Sequence, residues 1–139
     1  MPLSALPLDS PLRQAEQTLR RPSAAVWLRR VTVHTAQFDA SLAFYVNGLG
    51  LTLGRVDVHP VSGAARARLL DGEGAPVLDL MDAPAATGAA GELAFGMPRR
   101  TILLLRARLD GLRHPYHAAA DAVYVSDPDG TALRIEPMD

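Results

Sequence analysis

At 139 residues, 48% hydrophobic and 21% charged, the chain is sized and composed for one globular domain, not for a disordered or fibrous one. Its formal net charge of −1, with all fourteen basic residues arginine, offers no basic block for nucleic acid or an anionic membrane surface. The lack of cysteine excludes disulfides, thiolate chemistry and any cysteine-based zinc site.

The N-terminus MPLSALPLDSPLRQ has no basic start followed by an apolar run, so no secretory signal is expected. No apolar stretch approaches the roughly 20 residues of a membrane span. A soluble, cytoplasmic protein without membrane or nucleic-acid partners is the expectation.

Residues 1–25 read as an N-terminal helical extension. Ser10 followed by Pro11 supplies a hydroxyl cap and a proline at the first helical position. The body, residues 26–139, begins at Val26. Arg30, Thr32 and His34 alternate with Val31 and Val33, which is strand periodicity with one apolar face. FDASLAFYVNG reads as a helix, with Asp39 as a cap and Gly48 as its left-handed stop. LGLTLGRVDV, ARARLL and APVLDLM follow as three strands, with HPVSG and DGEG as connections. Arg66 and Arg68 read as a solvated strand face.

The segment 83–100 is rich in small residues, Gly and Pro and reads as a linker. TILLLRA, VYVS and TALRIEP then read as strands, the last two joined by the tight turn DPDG. Between TILLLRA and VYVS too little chain is left for a helix and two strands. The second unit therefore reads as an abbreviated repeat of the first, over about residues 101–137 against 26–82.

Three segments resemble the vicinal oxygen chelate superfamily, which includes glyoxalase, bleomycin-resistance and extradiol dioxygenase proteins. The first is VTVHTAQFDASLAFYVNGLGL, with Ser41, Phe44, Tyr45, Leu49, Gly50 and Leu51 in the family's pattern. The second is GAPVLDLM, and the third is VYVSDPDGTALRIEP with its turn from Asp127 to Gly130. The resemblance implies an α+β fold of paired βαβββ modules whose mixed sheets form a cup, often completed across a dimer. It also implies where the metal ligands of such proteins would stand. Those positions fall on Arg30, Asp79, Thr101 and Arg134. Arginine stays protonated and cannot ligate, and threonine is a poor ligand for zinc, nickel or iron. The usual metal site is therefore expected to be lost; no cofactor is expected, with a divalent metal left open.

Strand alternation adds Thr32 and His34 to the same face as Arg30. The expected ligand-binding set is thus Arg30, Thr32, His34, Asp79, Thr101 and Arg134, with His34 as the candidate base. Guanidinium forks recognise carboxylate or phosphate, so a small anionic or oxygen-rich ligand fits, with Asp79 orienting one arginine. The alternative is an internal Arg–Asp pair that only satisfies buried charge. His114 and His117 are spaced like a helical metal pair, but Pro115 between them makes a loop pair the simpler reading. Trp27, Tyr116 and Tyr124 are candidates for stacking on a flat ligand or for core packing. A metal-independent binding protein acting as a homodimer is the leading expectation. The alternatives are a metal-dependent lyase or dioxygenase-type enzyme, and a non-catalytic subunit with a vestigial cup.

Overall fold

A computed structural model describes residues 10–11, 28–84 and 92–138; the expected N-terminal helix, Trp27 and the middle of the expected linker lie outside them. Sheet one is built by β1 (Val31–Thr35), β2 (Thr52–Val58), β3 (Ala65–Leu70) and β4 (Pro76–Asp82). Its order is β1-β4-β3-β2, with β1 parallel to β4 and the rest antiparallel. Between β1 and β2, α1 (Phe38–Ala43) runs directly into a π-helical segment (Phe44–Leu49).

Sheet two repeats the plan with β5 (Glu92–Met97), α2 (Arg99–Gly111), β6 (Tyr116–Ala119), β7 (Ala122–Ser126) and β8 (Ala132–Pro137). Its order is β5-β8-β7-β6, again with the outermost pair parallel. The fold is α+β, built of two βαβββ modules. No helix among the described residues is long and apolar enough to cross a membrane.

The second module corrects the sequence reading in two places. TILLLRA is not a strand but the middle of α2. An unbroken apolar run carries no periodicity of its own. Here Ile102, Leu105 and Leu109 are buried at helical spacing while Leu103 and Leu104 are exposed. The fifth strand lies inside the expected linker, at ELAFGM. There Leu93, Phe95 and Met97 pack on the core, and Ala94 and Gly96 on the other face are too small to show an alternation. The second module therefore has all five elements, and its shortness is one of strand length, β6 having four residues against seven in β2.

One core runs from sheet to sheet through the helices. Val33, Leu69, Leu78 and Leu80 of sheet one join Phe44, Tyr45, Leu49, Ile102, Leu105 and Leu109 of the helical layer. These in turn meet Val123, Val125, Leu133 and Ile135 of sheet two. The first helix stops at Gly50, not at Gly48. Gly50 sits at φ 102°, a left-handed conformation that glycine adopts without penalty. Arg108 of α2 donates to the carbonyls of Gly48 and Leu49 at 3.2 and 3.3 Å, satisfying two of that helix's orphan acceptors. The helix also starts without Asp39 as its cap; Gln37 precedes it, and Asp39 lies in its first turn.

A polar clasp locks the modules together. Tyr45, fully buried, donates its hydroxyl to Asp127 Oδ2 at 2.7 Å. Asp127 Oδ1 meanwhile accepts from the backbone N–H groups of Asp129 and Thr131 at 2.9 and 2.8 Å. Asp129 accepts from the Thr35 and Ser41 hydroxyls and from Ala36 N–H. Burial pushes the Tyr45 hydroxyl pKa well up, and the Asp127 carboxylate adds to it. Burial also pushes Asp129 up, but the hydrogen bonds from Thr35, Ala36 and Ser41 outweigh it and hold the carboxyl below its ordinary range. The two sequence blocks that carry the family resemblance, SLAFY and DPDG, are thus the two halves of one hydrogen-bond network.

Candidate functional site

The faces turned away from this core carry the charge. In sheet one, alternation buries Val33 and Thr35 of β1 and leaves Thr32 and His34 exposed on the open side. The register Thr32↔Asp79 and Arg68↔Asp79 brings the middle of β1 and β3 onto Asp79 of β4.

Two guanidiniums converge on that one carboxylate. Arg30 Nε donates to Asp79 Oδ2 at 2.9 Å. Arg68 donates from Nε to Oδ1 at 3.0 Å and from Nη2 to Oδ2 at 3.3 Å. The Asp79 side chain is only 7% exposed, with Arg30 and Arg68 at 31% and 23%. Burial pushes the Asp79 carboxyl up, but the hydrogen bonds and charges of Arg68 and Arg30 outweigh it and hold the group below the usual carboxylate range. The trio carries one uncompensated positive charge. Beside it, Arg66 pairs with Asp57 through Nε and Nη2 at 2.9 and 3.0 Å, a contact that depresses the Asp57 pKa.

An open hollow of about 530 Å³ adjoins the trio, lined by Arg30, Thr32, Arg66 and Asp79. Arg29, His59 and Met81 complete its wall. Its size falls within the range of small-molecule sites. His59 belongs to the β2–β3 turn, where its Nδ1 accepts from Val61 and Ser62 N–H at 3.2 Å.

Of the residues picked from the sequence, the structure brings Arg30, Thr32 and Asp79 together. His34 lies on the same face of β1, two residues along and outside the hollow. Thr101 stands in the first turn of α2, because the strand expected there is a helix. Arg134 is in β8 of sheet two, with Nε 3.3 Å from Glu92 Oε1 and 2.7 Å from Glu136 Oε1. Tyr116 and Tyr124 lie in β6 and β7; Arg106 sits over the Tyr116 ring. His114 stacks on Phe44 with ring centres 4.8 Å apart and contacts the Ser126 carbonyl at 2.7 Å. His117 is in β6 and not in a loop. Arg68 is not a solvated strand face but a partner of Asp79. The cross-strand register that places it there is not written in any one strand.

Register also identifies the residue that sequence counting missed. Thr32 pairs with Asp79 in sheet one, as Ala94 pairs with Arg134 in sheet two. Two residues upstream of Thr32 and Ala94 stand Arg30 and Glu92. With Asp79 and Arg134 as the equivalent positions that the resemblance implies, the counterpart of Arg30 is Glu92, not Thr101. The strand pattern Leu93, Phe95, Met97 was the available signal.

Metal does not suit this donor set. The four positions are held by Arg30, Asp79, Glu92 and Arg134. Both Asp79 oxygens already accept from guanidiniums, and Glu92 lies against Arg134. A divalent ion would enter a site where protonated arginines already hold the carboxylates. Among the described residues no three His, Asp or Glu side chains cluster as ligands.

No family model and no curated protein matches the sequence. Solved structures do match the fold. A glyoxylase/bleomycin resistance protein/dioxygenase domain from Frankia sp. EAN1pec superposes with a TM-score of 0.68 at 14% identity, over 82% of this chain and 93% of that one. The fosfomycin resistance protein FosX from Listeria monocytogenes, solved with Mn(II) and sulfate, gives 0.66 at 14%, over 81% and 92%. Glyoxalase I of Leishmania major gives 0.66 at 21%, over 80% and 86%. The chain thus has the vicinal oxygen chelate fold.

Proposed function

We propose that this chain is a metal-independent, homodimeric binding protein that holds a small anionic, oxygen-rich ligand on the open face of sheet one. The observation that carries the reading is the Arg30–Asp79–Arg68 trio, net positive and partly buried, at the edge of a 530 Å³ hollow. A partly buried cation in excess favours an anion from solution, and guanidinium edges recognise its oxygens in pairs. Among the described residues Arg30 binds Asp79 through Nε alone, which leaves its two terminal amino groups for a ligand. Asp79 orients both arginines, and Arg66 and Thr32 add donors around the hollow.

Proteins of similar fold include the fosfomycin resistance protein FosX, crystallised with Mn(II), so catalysis through a metal is the competing reading. Titration calorimetry with oxalate and with inorganic phosphate tests the proposal. One anion per chain is expected to bind with metal chelator present, about tenfold more weakly after Arg30→Met or Arg68→Met. Binding that both variants leave unchanged, or that the chelator abolishes, would refute the proposal.

A further inference from the structure

The β2–β3 hairpin sends two side chains to the hollow of sheet one, Arg66 and His59. Arg66 is anchored on Asp57, its cross-strand partner. His59 follows β2 directly, two residues past Asp57, and strand alternation carries it to the same open face. It is half-buried there. His34, the histidine that strand periodicity selects, lies outside the hollow.

The turn at His59 uses every polar atom of that residue except one. Pro60 fixes its own φ and starts the turn. Gly63, at φ 73°, supplies the left-handed residue near its end. The His59 N–H donates to the Ala64 carbonyl at 2.8 Å, and the His59 carbonyl accepts from Gly63 N–H at 2.9 Å. Nδ1 accepts from the N–H groups of Val61 and Ser62, both at 3.2 Å. A ring nitrogen that accepts carries no proton, so in the neutral imidazole the proton is on Nε2. Nε2 has no partner among the described residues. The turn thus holds an N–H donor at the wall of the hollow, with the ring oriented by backbone bonds.

We infer that His59 is a binding residue of this hollow, donating from Nε2 to an oxygen of the anion. The charged members of the wall are three cations, Arg29, Arg30 and Arg66, against one anion, Asp79. A neutral donor adds a hydrogen bond to an anionic oxygen without desolvating a fourth cation. Because the turn fixes the ring before the ligand arrives, little side-chain freedom is lost on binding. The role is that of a donor and not of a base, since the lone pair of Nδ1 is already committed to the turn. The inference rests on the anion reading above and adds a residue to that site.

His59→Asn separates the donor from the turn. The amide oxygen it introduces accepts from the same two backbone N–H groups, and the donor at Nε2 is lost. Calorimetry on the full chain, with chelator present, is expected to show oxalate bound about fivefold more weakly in His59→Asn than in wild type, with the urea midpoint unchanged. Long-range proton–nitrogen correlation spectra of isotope-labelled wild type give a second readout that needs no variant to fold well. The His59 signals are expected to show Nδ1 bare and Nε2 protonated, and oxalate is expected to shift Nε2 without changing the tautomer. Equal oxalate affinity in His59→Asn and wild type, or a His59 signal that saturating oxalate leaves in place, overturns the role of His59 and leaves the anion reading standing. Wild type that binds neither oxalate nor inorganic phosphate overturns both.

Discussion

The clasp between the modules and the open face of sheet one are both polar, yet they are built on opposite principles. In the clasp every charge is matched by donors of the same chain. Asp127 takes three and Asp129 takes three more, from hydroxyls and backbone N–H groups. On the open face one carboxylate faces two guanidiniums, and positive charge is left over. A saturated network specifies a structure; an unsaturated one is available to something else. The difference separates residues that make the fold from residues that the proposed ligand would use.

The largest expected effect is in the clasp. Asp127→Ala leaves the Tyr45 hydroxyl and two backbone N–H groups without their acceptor, and should cost about 3 kcal/mol of stability by urea denaturation. Oxalate affinity of the protein that remains folded should not move. Were affinity to fall with stability, the two regions would not be independent.

On the open face the expectation reverses. Arg68→Met should weaken oxalate binding about tenfold while the urea midpoint stays close to wild type, since an apolar replacement for one member of a crowded charge trio is tolerated. A large loss of stability with intact binding would make the trio structural.

Ser41→Ala removes one donor to Asp129 and a 2.7 Å contact with Thr35. It should cost about 1 kcal/mol, a third of the Asp127 effect, because other donors remain. Acid comes next. Asp79 and Asp129 both have folded pKa values below the ordinary range. Their contribution is therefore complete above the unfolded carboxylate pKa of about 4 and is lost as pH falls below it. The urea midpoint should be flat from pH 6 to about 4 and drop below that, with a shallower drop in Asp129→Asn. The smallest effect belongs to Asp57→Asn. It frees Arg66 from a half-buried pair beside the hollow and should raise oxalate affinity by no more than about twofold.

How much of this the sequence shows follows from the same contrast. Val31 and Val33, the SLAFY block, VLDLM and DPDG were legible because each carries its period or turn chemistry locally. Gly48 was read as the helix stop because the π-helical turn that carries the chain on to Gly50 leaves no local mark. TILLLRA was misread because four successive apolar residues fit strand and helix alike, and only burial of Ile102, Leu105 and Leu109 decides. That error displaced the fifth strand and put Thr101 where Glu92 belongs. Arg68 escaped for another reason. Its partner Asp79 lies across a strand pair, and cross-strand register is a property of the sheet, not of ARARLL.

The central claim is that arginine-held positive charge occupies the place where a metal would sit. Calorimetry of the untagged protein with Mn(II), Zn(II) and Ni(II), run beside oxalate with chelator present, tests it most directly. The account predicts no stoichiometric metal binding, together with an oxalate isotherm of one site per chain that Arg30→Met weakens. One tightly held metal per chain, with oxalate binding only in its presence, would contradict it.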